Sequence, residues 1–376
     1  MNESTFTPQT SGDQPTVRLA LDVMGSDLGV PEMVAGATQA AIAFGSSVHL
    51  TLVGRESEIK AALDAQSVRP STIDIVHATE EVLMTDSPAE AVRKDGTSVA
   101  VGLHLKKTGA VDAFVSPGNT GAVMAGSLLV LGRIPGVNRP AICAIFPTRT
   151  EKTTLLLDVG ANSACKPINM VQFGALGAVY AEQMHGVTRP RVGLLSIGEE
   201  RSKGNELIVA SHELFEQSNL NFAGNVEGRD ILSGELDVVV TDGFTGNVVL
   251  KFAESIEPFL TSRIRRQVST NMFSRVGAFM MYPFLQRLRR TFDYSEAGGA
   301  PLLGIEGVVM ICHGSSSSKA IKSALNMAVR MVRTGVIART RDAMRRTDAL
   351  QGVVATKPLF SQSSATTAVI MEGAAS

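Results

Sequence analysis

The sequence predicts an α/β protein with a layered, largely parallel sheet and helices on both faces. Three observations carry this reading. Short apolar runs alternate with longer helix-compatible stretches through most of the 376 residues. Runs such as LLLDV and DVVV lack polar alternation, as strands covered on both faces do. Gly-rich loops follow many of these runs, at the strand ends where such sheets bind ligands.

The elements follow in order. Strand 18–25 ends at a glycine, and helix 30–44 has Pro31 near its start. Strand 48–54, helix 56–65 and strand 71–78 come next. Residues 87–109 read as helical, with Asp95-Gly96 as a break. Strand 111–116 leads into helix 120–131. Strands 141–147 and 153–160 are close enough to be neighbours across the charged turn TRTEK. Helix 168–186, strand 192–198 and helix 205–217 follow, the last with a Gly-Asn start suited to capping. Strand 236–243 leads into a helix near Thr245, and strand 306–314 into helix 316–335.

Composition excludes several classes. The formal net charge of −1 leaves no global basic footprint for nucleic acid. Cys143, Cys165 and Cys312 make no disulfide framework and suit a reducing compartment. The polar start lacks a signal-peptide core, and no 18-residue apolar run predicts a spanning helix. The expected organisation is a disordered tail at 1–16, a single catalytic domain at 17–354 and a flexible tail at 355–376. An amphipathic helical insertion is expected within the domain at 257–292.

Residues 111–123, VDAFVSPGNTGAV, and 236–248, LDVVVTDGFTGNV, share one pattern. Each has an apolar run, a Pro-Gly or Asp-Gly, one variable residue, Thr-Gly and a helix-compatible stretch. Their flanks share little else, so they read as one physical solution at two strand ends. With DVMGSDLG, DVGANSACKP and CHGSSSS, they make five Gly-rich strand-end loops. Glycine lets backbone N–H groups approach a ligand, and a following helix adds free N–H groups and its dipole. Such loops suit a phosphate or a developing oxyanion. Neither GxGxxG nor GxxxxGK[ST] occurs, so the usual nucleotide-binding signatures are missing.

In SIGEERSKGNEL, Lys203 is a candidate cation over phosphate, and a solvated charged loop is the alternative. Asp22, Asp27, Asp158 and Asp242 lie in strand-end loops, open to ion binding or to Asx-type backbone bonds. Cys143 falls inside an apolar strand. Cys165 and Cys312 lie near loops but have no assigned base, and neither GxSxG nor HExxH is found. No metal or cofactor is expected.

Residues 260–290 hold seven arginines and no acidic residue. Leu260, Ile264, Val268 and Met272 recur at i+4, and the apolar VGAFMMYPFL follows with a break at Tyr282-Pro283. Burial against the domain or a dimer partner, an acidic protein surface and an anionic membrane are all open uses.

Taken in order, LALDVMGSDLG, FVSPGNTGAVMA, RPAICAIFPT, LLLDVGAN, GLLSIGEERSKGNEL, FAGNVEGRDI, DVVVTDGFTGNVVLK and LLGIEGVVMICHGSSS resemble one family. It is that of the bacterial phosphate acyltransferases of phospholipid synthesis, the PlsX family. The resemblance spans roughly residues 18–340. It implies transfer of a long-chain acyl group from acyl carrier protein to inorganic phosphate, giving acyl phosphate. That product feeds a membrane glycerol-3-phosphate acyltransferase. It also implies a fold like the isocitrate/isopropylmalate dehydrogenases and phosphate acetyltransferases. The implied assembly is a homodimer, cytoplasmic and peripherally membrane-associated. Alternatives are a phosphate acetyltransferase-like enzyme using short acyl-CoA, a decarboxylating dehydrogenase and, from another class, a non-catalytic lipid-surface scaffold.

The resemblance also carries site expectations. Lys203 and Asn247 are the catalytic pair, contacting phosphate or the oxyanion. Asp242, Gly243, Thr245 and Gly246 shape the cradle of the reacting phosphate, and Asn162 contributes nearby. Gly118, Asn119, Thr120 and Gly121 form the opposite wall. Asp22, Gly25, Ser26, His313 and Ser315 complete the crevice. Arg263, Arg265 and Arg266 are expected to steer the acidic carrier, and Met280, Met281 and Phe284 to meet the bilayer.

Overall fold

The computed structural model describes residues 15–268, 277, 279–281, 284 and 298–354. The expected tails, apart from residues 15 and 16, lie outside these, as does most of 269–297, including Met272 and the Tyr282-Pro283 break. In chain order the strands are β1 (Val17–Asp22), β2 (Val48–Gly54), β3 (Ile73–His77), β4 (Ala113–Ser116), β5 (Ala141–Pro147) and β6 (Thr153–Leu157). They continue with β7 (Arg191–Leu195), β8 (Asn221–Val226), β9 (Val238–Val240), β10 (Ala300–Leu303) and β11 (Val308–Ile311). The helices are α1 (Val30–Phe44), α2 (Glu56–Asp64), α3 (Pro88–Ala91), α4 (Ser98–Lys107) and α5 (Thr120–Val130). After them come α6 (Pro167–His185), α7 (Glu206–Glu216), α8 (Gly243–Val268), α9 (Ser318–Arg333) and α10 (Val336–Val354).

All these strands join one sheet in the order β3-β2-β1-β4-β11-β10-β5-β6-β9-β7-β8. The five strands from β3 to β11 run parallel to one another. So do the four from β6 to β8. The three pairings through β10 and β5 are antiparallel, so the two parallel halves run in opposite directions. Register then decides where their carboxyl ends fall. Ile311, the end of β11, pairs with Ala300. Two residues on, Leu302 pairs with Ile142, and the next residue, Cys143, pairs with Leu157 at the end of β6. Both halves therefore end at nearly the same level of the central strands, from opposite sides.

Apolar residues on alternate sides of each strand fill two cores. Leu19, Val115, Leu155 and Val238 face the core shared with α1, α6 and α9. Ala20, Phe114, Leu156 and Val239 face the one shared with α4, α5 and α8. Strands buried on both sides explain the absence of polar alternation. In α9, Ile321, Leu325 and Val329 recur every four residues and are fully or almost fully buried. Each such side chain contributes roughly 1.5–3 kcal/mol relative to exposure.

The expected helix at 87–109 is interrupted as the Asp95-Gly96 dipeptide suggested. A Ser87 capping box starts α3, and Thr97 caps α4. Strands β5 and β6 pair directly, and Asn205 caps α7. Helix α8 passes residue 257 without a break and contains Pro258.

Candidate active site

Two aspartates organise the loops where the halves converge. Asp22 ends β1 and is fully buried. Its carboxylate accepts N–H groups of Met24 and Gly25 at 3.0 and 3.4 Å and the Ser116 hydroxyl at 2.8 Å. Gly25 lies so near β4's loop that a Cβ there would meet the Gly118 Cα at 2.4 Å. Ser26 Oγ donates to the Gly314 carbonyl at 3.0 Å, tying the β1 loop to the β11 loop.

Asp158 follows β6 and is equally buried. It accepts the N–H groups of Ile142, Gly160, Ala161 and Asn162 and the Asn162 amide, at 2.7–3.1 Å. Burial pushes both aspartates above the usual carboxylate range, against the pull of these donors toward the anion. The start of α8 rests on this hub without side chains in between. A Cβ on Gly243 would meet Asn162 O at 2.6 Å, and one on Gly246 would meet Asp158 O at 1.9 Å. The Gly-x-Thr-Gly spacing thus puts two side-chain-free positions on the first turn of α8.

Several expected residues have their polar atoms taken by the protein itself. Asn119 caps α5 through Ala122 N–H, and its Nδ2 donates to the carbonyls of Leu83, Met84 and Asp86. Asn162 Nδ2 also donates to Pro140 O at 2.7 Å. Asp242 accepts Phe244 N–H, Thr245 N–H and the Thr245 hydroxyl. Gly243 N–H donates to Asn162 O, and Gly246 N–H to Asp242 O. Each holds a loop in shape.

The convergence leaves a crevice of about 790 Å³, within the roughly 300–1,000 Å³ of small-molecule sites. Of the expected residues, Thr120, Gly121, Gly243, Asn247, His313 and Ser315 line it. Asp22, Gly25, Ser26, Gly118, Asn119, Asn162, Asp242, Thr245 and Gly246 are not part of that lining. Among the described residues, the N–H groups of Thr120 and Gly121 and the Asn247 amide have no protein partner. Asn247 Oδ1 lies 3.5 Å from where a Gly160 Cβ would be. His313 Nδ1 accepts the Ser315 N–H at 3.2 Å. In the neutral ring the proton therefore sits on Nε2.

Lys203 is not in the lining. Its loop follows β7, and β9, which leads into α8, lies between β7 and β6. The three loops after these strands therefore stand side by side. Lys203 is exposed and has no ion pair among the described residues.

Sequence reasoning missed much of the lining, both the apolar Met124, Ile142, Val159, Phe244, Leu250, Pro258, Ala300 and Ile311 and the charged Lys251, Glu254 and Glu257. Met124 and Leu250 were accessible, since each lies four residues past Thr120 or Gly246 on a helix beginning at the crevice. Ile142 and Ala300 depend on central strand pairings that local patterns do not encode.

The thiols are poorly placed for nucleophilic attack. Burial pushes Cys312 up to about 12 and Cys165 up to about 11, and raises Cys143 as well. At neutral pH each is a thiol rather than a thiolate. Among the described residues, no group of His, Cys, Asp and Glu could hold a metal ion. No described helix is long and apolar enough to cross a membrane.

This sheet, with its crevice between opposed halves, has the architecture of the phosphotransacetylases. A phosphotransacetylase from Streptococcus pyogenes matches with a TM-score of 0.52 over 88% of this chain and 94% of that one, at 14% identity. Sequence comparison is more specific. A family model described as "Fatty acid synthesis protein" matches residues 17–339. A phosphate acyltransferase of Heliobacterium modesticaldum is 48% identical over 326 residues, 86% of this chain and 96% of the relative. One from Syntrophotalea carbinolica is 47% identical over 311 residues, covering 82% and 89%. The chain belongs to this family of PlsX-type phosphate acyltransferases.

Proposed function

We propose that this acyltransferase moves a long-chain acyl group from acyl carrier protein to inorganic phosphate. Family membership supports an acyl-phosphate-forming transacylase. The observation that carries the finer reading is the mixed lining of the crevice. Unpartnered donors of Thr120, Gly121 and Asn247 share the lining with the apolar side chains of Met124, Ile142, Leu250, Pro258 and Ala300. The donors suit an anion at the start of α5, and the apolar side chains suit an acyl chain.

In this reading phosphate sits at the α5 N-terminus, with the Asn247 amide across from it. Lys203 extends from the neighbouring loop as the cation. A phosphate oxygen attacks the thioester carbonyl, a C–O bond forms and the C–S bond breaks. The carrier's thiolate leaves and takes up the proton that the hydrogen phosphate gives up as it becomes acyl phosphate. Fixed N–H donors and the His313 Nε2–H stabilise charge as it develops on the carbonyl oxygen or sulfur. Holding both reactants close supplies much of the rate without an enzyme nucleophile.

Two apolar surfaces support the proposed partners. Phe244, Val248, Phe252 and Phe259 form an exposed stripe on one face of α8, which suits a homodimer contact. Phe279 and Met280 are 82% and 77% exposed, and Met281 and Phe284 are exposed beside them. That tip suits a peripheral contact with an anionic membrane. Arg263 and Arg266 lie between the two in sequence, and their charge suits an acidic carrier. Acyl phosphate released at a bilayer would reach a glycerol-3-phosphate acyltransferase directly.

The test is release of carrier thiol from long-chain acyl-[acyl carrier protein], with and without phosphate. Phosphate-dependent release with stoichiometric acyl phosphate is expected. Equal release without phosphate, or preference for acetyl-CoA, would overturn the reading.

A further inference from the structure

FAGNVEGRDI, at 222–231, contributes no residue to the crevice lining. Instead, β8 and the turn after it hold the Lys203 loop at three points. Val226 O accepts the Ser196 N–H at 2.8 Å. Asn225 Nδ2 donates to the carbonyls of Glu200 and Lys203 at 2.9 and 3.3 Å. Arg229 reaches Glu199 at 3.3 Å.

Asn225 and His212 are both buried. With Nδ2 facing two carbonyls, Asn225 Oδ1 is the acceptor. It lies 2.9 Å from His212 Nδ1, which therefore carries the proton. The His212 ring packs edge-on against Phe222, with centroids 5.1 Å apart. Its Nε2 faces Glu216 at 3.5 Å, and Glu216 also pairs with Arg201 of the same loop at 3.0 Å. The loop is thus gripped by the buried His212–Asn225 pair, while its Lys203 ammonium is free of ion pairs among the described residues.

We propose that Asn225 is a positioning residue for Lys203, acting through the loop backbone and itself oriented by His212. This rests on the reading of Lys203 as the cation over phosphate. A lysine has four rotatable bonds, so its reach into the crevice depends on where the loop anchors its Cα. The Lys203 carbonyl is fixed twice, by Asn225 and by the Ser196 hydroxyl at 2.9 Å. Losing the Asn225 fork frees that anchor, and a displacement of about 1 Å costs on the order of 10²-fold in rate.

The experiment is a double-mutant cycle on the full-length protein, with long-chain acyl-[acyl carrier protein] and inorganic phosphate. Asn225→Ala and the isosteric Asn225→Asp are each made alone and with Lys203→Ala. In Asn225→Asp an oxygen faces the two carbonyls where an N–H donated. His212→Phe keeps the packing on Phe222 and removes the donor. Expected is a fall of about 10²-fold in kcat/KM for phosphate with either Asn225 change, and a smaller fall with His212→Phe. In the Lys203→Ala background neither Asn225 change should lower residual turnover further, because a residue acting through Lys203 has nothing left to position. Near-normal turnover of Lys203→Ala removes the foundation and the inference together. A disabled Lys203→Ala beside an active Asn225→Asp overturns the inference alone. So do equal losses from the Asn225 changes in both backgrounds.

Discussion

Gly246 stands so close to Asp158 that a methyl group on its Cα would lie 1.9 Å from the Asp158 carbonyl oxygen. The contact is backbone on backbone, so no side chain can rotate away. It fixes the first turn of α8, and with it Asn247, against the buried hub after β6. Gly246→Ala should lower stability by about 1–3 kcal/mol or more and also weaken phosphate-dependent turnover. Urea denaturation followed by circular dichroism measures the first, and the release assay the second. Gly228→Ala is the control, because a methyl there meets nothing within 4 Å. An unchanged midpoint for Gly246→Ala would show that α8 can move off the hub.

Asn247 offers a different test, because its amide touches the crevice and supports nothing else among the described residues. Asn247→Ala should leave the unfolding free energy in urea within about 0.5 kcal/mol of the parent protein, as exposed substitutions usually do. Turnover should fall by about 10²–10³, the cost of losing one donor to a developing oxyanion. Asn247→Asp should fall at least as far, since a carboxylate would repel phosphate. Turnover near the parent level in Asn247→Ala would take the amide out of the chemistry.

The contrast between these residues shows what local sequence encodes. Helix starts were legible because caps and prolines act within a few residues, as at Pro31 and Asn205. Strand β2 and helix α1 were legible in full because their apolar patterns end at sharp breaks. The two Gly-x-Thr-Gly segments were recognisable as loops joining a strand to a helix. The sequence put the reacting phosphate at TDGFTG, but which N–H groups stay free depends on partners found across the fold. In TDGFTG the N–H groups from Gly243 to Gly246 are all taken, whereas Thr120 and Gly121 keep theirs toward the crevice. The opposed halves were also hidden. Short strands such as β10 carry little periodicity, and their antiparallel pairing is a tertiary choice. The pattern of β8 escaped for a similar reason, with Gly224 and Asn225 interrupting its apolar run.

Direct attack by phosphate predicts indifference to thiol chemistry. Cys312 lines the crevice and is the thiol most exposed to confusion with a nucleophile. With burial holding it at about 12 and Cys165 at about 11, their alkylation by iodoacetamide should be slow at pH 7. The rate should rise about tenfold per pH unit through pH 9, because the thiolate fraction does so below the pKa. Cys312→Ala should retain turnover within about threefold, the effect of a small change in packing rather than of a lost nucleophile. Trapping of an acyl-enzyme on Cys312 would contradict direct attack.

The two exposed apolar surfaces should separate by experiment. The α8 stripe runs through Phe244, Val248, Phe252 and Phe259, whereas the tip holds Phe279, Met280, Met281 and Phe284. Val248→Asp with Phe252→Asp places charges in the middle of the stripe. In a dimer contact these would be buried without partners, so sedimentation should shift from dimer toward monomer. Met280, Met281 and Phe284 changed together to Ser should leave the sedimenting mass unchanged. Each large apolar side chain contributes roughly 1.5–3 kcal/mol on leaving water, so removing three should lower binding to anionic vesicles by more than tenfold. High salt should weaken the remaining binding, which would rest on arginines such as Arg263 and Arg266. Liposome binding that survives the tip changes but falls with the stripe changes would reverse the two assignments. The stripe would then be the membrane face.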